Sequence, residues 1–116
     1  MIHRIVGKDV AIGERSKKRF ERRLEFALGR FGSSIRSVDL TLEDENGPRG
    51  GVDKSCRIVV KMLQGEDVVV KGRGDDPLAL VDRTAERAGR AVARALDLRR
   101  RRTGARASGD VRGRRS

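Results

Sequence analysis

The stretch Asp76-Pro77-Leu78-Ala79-Leu80-Val81-Asp82-Arg83-Thr84-Ala85-Glu86-Arg87-Ala88-Gly89-Arg90-Ala91-Val92-Ala93-Arg94-Ala95-Leu96-Asp97-Leu98 decides the fold, because its two faces make opposite demands. At about 100° per residue, Leu78, Val81, Ala85, Ala88, Val92 and Leu96 fall in one stripe, and Arg83, Arg87, Arg90 and Arg94 fall in another on the opposite side. The first stripe requires a core; the second suits an anion. The helix start is well marked, since Asp76 can accept from unpaired first-turn amides and Pro77 lacks only an N–H that would be unpaired anyway. A solvated face is the ordinary reading of such arginines. Here only Asp82, Glu86 and Asp97 could pair with them along the helix, and every cation is arginine, whose planar fork suits bidentate phosphate contact.

Working outward, the 116 residues suffice for one domain with a modest core. Charge is the composition figure furthest from average, with 28 basic against 17 acidic residues and a net +11. It is unevenly placed. Residues 99–116 hold eight arginines and one aspartate, residues 14–31 hold seven basic and three acidic groups, and residues 32–76 hold seven basic and nine acidic. The two helical regions are thus basic and the segment between them slightly acidic, a pattern that points to a polyanion, with nucleic acid the commonest soluble one.

Ile2 to Val6 reads as a short strand ended by Gly7-Lys8-Asp9. Glu14 to Phe31 reads as a first helix with Phe20, Leu24, Ala27, Leu28 and Phe31 on one face, closed by Gly32, although Gly29 weakens its last turn by about 1 kcal/mol relative to alanine. Arg19, Arg22, Arg23 and Arg30 cluster on one flank of it with Lys18 near, and Phe26 projects from the middle of that cluster. Alternation predicts strands over Val38–Glu43, Cys56–Met62 and Val68–Lys71, with a turn at Gln64-Gly65-Glu66-Asp67 and a flexible, acidic loop over 44–53. Gly72-Arg73-Gly74 reads as a turn. The expected order is β-α-β-β-β-α, an α+β two-layer sandwich in which a four-stranded sheet carries two helices packed on one face. Residues 1–98 form that domain; beyond Leu98 apolar periodicity stops, and residues 99–116 read as a disordered arginine-rich tail.

Catalysis is poorly supplied. His3 is the only histidine, Cys56 the only cysteine and an inward-facing strand residue, and no phosphate loop, dinucleotide fingerprint or metal-ligand spacing occurs. The chain therefore reads as a non-enzyme with no cofactor and no metal. A single cysteine, no signal peptide and no long apolar run fit the cytoplasm and no membrane. With three aromatics, all phenylalanine, a base-stacking sheet is ruled out, which leaves arginines on rigid helices reading the backbone of a folded RNA.

The element order, Gly7-Lys8 after the first strand, Arg23-Leu24 in the first helix and Asp76-Pro77-Leu78-Ala79-Leu80-Val81-Asp82 leading into a basic helix resemble the ribosome hibernation-promoting factor and ribosome-associated inhibitor family, also known as ribosomal subunit interface or sigma-54 modulation proteins. The resemblance spans about residues 1–98. It implies binding of rRNA in the mRNA and tRNA channel of the small ribosomal subunit through basic side chains of both helices, which silences translation under stress. Lys17, Arg23, Arg87, Arg90 and Arg94 match the family's basic helix positions, while Arg19, Arg22, Arg30 and Arg83 lie on the same flanks. Phe26 and Gly29 stand where relatives commonly have lysine, and Leu78 where they have an aromatic. The resemblance further implies a short form, lacking the C-terminal dimerisation domain of longer members. Two other readings remain open: a protein-binding regulator of the sigma-54 modulation type, or a general binder of structured RNA.

Overall fold

The computed structural model describes residues 1–45 and 54–111, with side chains as far as Arg102. Strand β1 (Ile2–Lys8) leads through a left-handed turn residue, Asp9 at φ 59°, to helix α1 (Glu14–Leu28) and a 3-10 segment (Gly29–Ser34). Strands β2 (Ile35–Asp44), β3 (Lys54–Met62) and β4 (Val68–Gly74) follow, and then helix α2 (Pro77–Val111). The sheet order is β1-β2-β3-β4, with β1 parallel to β2 and the remaining pairs antiparallel. A parallel neighbour cannot be reached by a tight turn, so α1 is the crossover that returns the chain to the start of β2. The expected α+β two-layer sandwich, in the order β-α-β-β-β-α, is the architecture observed.

Period-two patterning fixes which sheet face is covered. Register sets Leu40 opposite Ile58, Leu42 opposite Cys56, and Ile58 opposite Val70, and all five side chains are buried. From above, α1 contributes Phe20, Leu24 and Leu28, and α2 contributes Leu80, Val81, Ala85, Ala88 and Val92. Leu78 and Leu96, the ends of the expected stripe, are only partly buried against this core. Thr84 is buried too; its hydroxyl donates to the Leu80 carbonyl at 2.7 Å, which satisfies a polar group within the helix itself.

Several boundaries differ from those the sequence predicts. Helix α1 ends at Leu28, not Phe31, and Gly29 rather than Gly32 occupies its C-cap, from which the chain tightens into 3-10 geometry. Gly7 and Lys8 belong to β1, and Gly72-Arg73-Gly74 is strand rather than turn. Pairing explains both cases: Gly72 lies opposite Cys56 and Gly74 opposite Lys54, so ladder hydrogen bonds outweigh glycine's preference for turns. The helix α2 does not stop at Leu98; its backbone stays helical to Val111, where the sequence reading expects an extended tail. Arginine and alanine are strong helix formers, and Arg101 pairs with Asp97 one turn back at 2.9 Å. Of the expected acidic loop, Asp44 ends β2 and residues 46–53 lie outside the described residues, as do residues 112–116.

The helices run in the same direction, since Arg23 faces Asp82 and, further along both, Ala27 faces Gly89. At the second point their backbones nearly touch: a Cβ on Gly89 would lie 2.7 Å from the Ala27 carbonyl oxygen. Gly29, by contrast, has ordinary helical angles, and a Cβ there would meet only the movable end of Glu25. Gly89→Val is therefore expected to cost about 2–4 kcal/mol by forcing the helices apart, and Gly29→Ala to stabilise by about 0.5–1 kcal/mol. Urea denaturation of both variants checks the opposite signs; equal effects would refute the close approach.

Candidate nucleic-acid interface

The arginine surface is built by the two helices. The Leu78 backbone amide donates to Asp76 Oδ1 at 3.2 Å, so α2 starts at the aspartate and proline that the sequence marks as its beginning. With Val81, Ala85, Ala88 and Val92 in the core, helical geometry turns Arg83, Arg87, Arg90 and Arg94 outward, and all four are exposed. On α1, burial of Phe20, Leu24 and Leu28 turns Arg19, Arg22, Arg23 and Phe26 toward solvent, and Arg30 in the 3-10 segment that follows is exposed too. Parallel packing then joins the two flanks. A cleft of about 330 Å³ lies between the helices, lined by Arg23, Phe26, Arg30, Arg90 and the carboxylates of Asp82 and Glu86. Arg19, Arg22, Arg23, Phe26 and Leu78 border a second cleft on the outer side of α1.

The nine cations singled out by sequence are not equivalent. Arg23 lies 3.6 Å from Asp82 and Arg90 lies 3.8 Å from Glu86, exposed pairs worth about 0.2–1 kcal/mol that a polyanion can displace. Arg30 stacks on Phe31, with its guanidinium carbon 4.7 Å from the ring centre. Arg19, Arg22 and Arg94 make no ion pair among the described residues. Arg83, which also lines the cleft between the helices, and Arg87 reach over the sheet edge: Arg83 Nη2 donates to the Arg73 carbonyl at 3.2 Å and Arg87 Nη1 to the Lys71 carbonyl at 2.7 Å. Both carbonyls belong to the edge strand β4. Lys17 continues the stripe of Phe20 and Leu24 toward the helix start, exposed and apart from the arginine flank.

Sequence charge counts hide a further set of cations. Alternation along the strands sends Arg4, Lys8, Arg57, Lys61, Lys71 and Arg73 to the sheet face opposite the helices. Asp39 and Glu43 on the same face pair with Lys61 at 3.6 Å and Lys8 at 3.9 Å. The acids of residues 32–76 thus offset only part of that face, and the period-two pattern of basic residues was the signal that could have shown it.

Cys56 is fully buried, and burial pushes its thiol up to about 11 against a smaller opposing hydrogen bond with Thr84. Such a thiol remains protonated at neutral pH and packs as a small apolar group. Its folded pKa lies above its ordinary value, so the associated stability is present below about pH 9 and is lost as pH rises toward 11. His3 Nε2 lies 3.7 Å from Glu25 Oε1. Among the described residues no group of three histidine, cysteine or acidic side chains is placed to hold a metal ion, and no helix is long and apolar enough to cross a membrane.

A two-layer α+β domain whose parallel helices share one arginine-rich surface is the class of protein that this fold and surface define. Residues 3–100 match the family described as Sigma 54 modulation protein / S30EA ribosomal protein, and the chain belongs to that family. Among solved structures, the N-terminal domain of Thermus thermophilus Protein Y is similar, with a TM-score of 0.66 and 20% identity over 80% of this chain and 96% of that one. A ribosomal subunit interface protein from Coxiella burnetii is similar too, with a TM-score of 0.68 and 16% identity over 84% of this chain and 99% of that one. At these identities the likeness is one of fold. A comparison with curated protein sequences found no match.

The tethered arginines should differ measurably from the free ones. Arg83→Ala combined with Arg87→Ala is expected to lower stability by about 1–2 kcal/mol and to speed hydrogen exchange in β4, whereas Arg90→Ala with Arg94→Ala shifts stability by under about 0.5 kcal/mol. Equal losses in both pairs would remove the distinction. Between pH 9 and 11 the unsubstituted protein is expected to lose more stability than Cys56→Ala, measured by denaturation at each pH; parallel curves would show that the thiol titrates normally.

Proposed function

We propose that this protein is a ribosome-binding inhibitor of translation that occupies the mRNA and tRNA path of the small ribosomal subunit in the cytoplasm. Membership of the family supports ribosome association, and the one observation that carries the finer reading is the meeting of two arginine flanks on a single rigid surface. RNA with tertiary structure presents phosphates at fixed positions, and arginines held by two packed helices can match such an array in a way that a flexible basic segment cannot. In this reading Arg19, Arg22, Arg23, Arg30, Arg90 and Arg94 contact rRNA phosphates. Arg83 and Arg87 offer their remaining N–H groups from positions already fixed by the β4 carbonyls, and Lys17 adds charge at the near end of α1. Inhibition is steric, and the residues bind without cofactor or bond-making chemistry. Residues 1–98 act as the binding domain. The arginine-rich extension from residue 99 adds attraction without specificity.

Each phosphate contact releases condensed counterions, so six contacts would weaken binding by roughly 10³-fold or more between 50 and 200 mM salt. Cosedimentation with separated small subunits, large subunits and intact ribosomes is the test. Saturable, salt-sensitive binding to small subunits, displaced by tRNA, is expected. Arg19→Glu, Arg22→Glu, Arg90→Glu and Arg94→Glu together are expected to abolish it while lowering stability by no more than about 1–2 kcal/mol, because all four side chains are exposed and, among the described residues, only Arg90 of the four holds an ion pair, with Glu86. Salt-insensitive binding, binding to large subunits alone, or normal cosedimentation of the fourfold variant would overturn the proposal.

A further inference from the structure

Phe26 is the least hidden large apolar side chain among the described residues, 89% exposed at the centre of the arginine surface. Leaving a phenylalanine ring in water forgoes about 1.5–3 kcal/mol of burial, so its position is unexplained by folding. Its surroundings are specific. One turn to either side stand Arg22, Arg23 and Arg30, and the remaining neighbour at that spacing is Gly29, which has no side chain to cover the ring. Phe26 also borders both clefts, the one between the helices and the outer one that holds Leu78. The one carboxylate bordering the outer cleft, Glu25, is drawn aside toward His3 and the Gly29 backbone.

We infer that Phe26, flanked by Arg22, Arg23 and Arg30, is a stacking site for one unpaired nucleobase of an RNA strand whose phosphates the arginines hold. The inference rests on the RNA-binding reading above and adds a ligand to it. An exposed apolar ring with arginines one turn to either side, and with Asp82 and Glu86 confined to the cleft between the helices, presents a π-face where a base can lie and positive charge where the neighbouring phosphates fall. A protein surface that used the same ring would bury it among large apolar partners, yet the clefts that Phe26 borders offer only Leu78, Ala27 and Ala85, and Arg22, Arg23 and Arg30 would have to be desolvated with it. Charge complementarity therefore selects RNA. The site reads no sequence, because every base offers a face, but it distinguishes RNA with a bulged or looped base from a fully paired helix.

The chain contains no tryptophan and no tyrosine, which makes Phe26→Trp a single fluorescent reporter at the site itself. Titrations would use a hairpin RNA with one bulged base, the same hairpin fully paired, and heparin as a polyanion without bases. Strong quenching by the bulged hairpin and little by the other two is expected. Phe26→Ala is expected to weaken bulged-hairpin binding roughly 5- to 100-fold while changing heparin binding less than about twofold. If the unsubstituted chain binds the hairpins and Phe26→Ala binds the bulged one equally well, the stacking site is refuted and the RNA reading stands. If the unsubstituted chain binds neither hairpin, both fall. Equal quenching by heparin, or a nuclease-resistant protein complex lost in Phe26→Ala, would also overturn the site.

Discussion

The contact on which the rest of the molecule depends is the near-touching of two helix backbones at Ala27 and Gly89. Helices with ordinary side chains at their contact stand 8–10 Å apart, and a glycine at the crossing sets the pair at the near end of that range. The layer that the two helices lay over the sheet, and the cleft between their outer flanks, follow from that spacing. Two helices this close cover the four strands with one continuous layer, so Leu24 and Leu28 from one and Val81, Ala85 and Ala88 from the other close over the same inward strand residues. Their outer flanks meet with only a shallow cleft between them. A bulkier residue in place of Gly89 would widen the groove and separate Arg23 and Arg30 from Arg90.

The arginine surface is therefore an outcome of packing rather than of charge alone. Within it the side chains divide their labour. Arg83 and Arg87 give one N–H each to carbonyls of the edge strand, a contact that also occupies acceptors another strand could use, and such protection is common at exposed sheet edges. Arg19, Arg22 and Arg94 make no ion pair among the described residues. Arg23 and Arg90 hold weak, exposed pairs with Asp82 and Glu86, which restrict where their guanidinium groups lie.

Much of this was legible in the sequence. Alternation at Val38–Glu43 and Cys56–Met62, and the helical stripes beginning at Phe20 and Leu78, carry the fold because burial dominates folding and its period is written directly in residue order. The outward course of Phe26 and the inward one of Cys56 follow from the same periods. What could not be read depends on partners distant in the chain. Gly72 and Gly74 look like turn residues until pairing with Cys56 and Lys54 is known. Gly89 gives no local sign that Ala27 lies against it. The capture of Arg83 and Arg87 by β4 is equally invisible, since residue type announces charge but not the carbonyl that will hold it. The course of the helix past Leu98 was missed because apolar periodicity signals burial, whereas over residues 99–102 the arginines sustain a helix by propensity and a local ion pair.

The shared direction of the two helices has an electrical consequence. Side by side and antiparallel, two helix dipoles cancel at a distance; side by side and parallel, they add. Each contributes roughly half an elementary charge of positive sign at its amino end, and here both amino ends point to the same end of the domain, with Lys17, Lys18 and Arg19 in the first turns of α1. Glu14 and Asp76 offset the mutual repulsion within the first turns. That end of the domain therefore carries more positive potential than its side chains alone would give it, while Arg99, Arg100, Arg101 and Arg102 set formal positive charge toward the other end of α2.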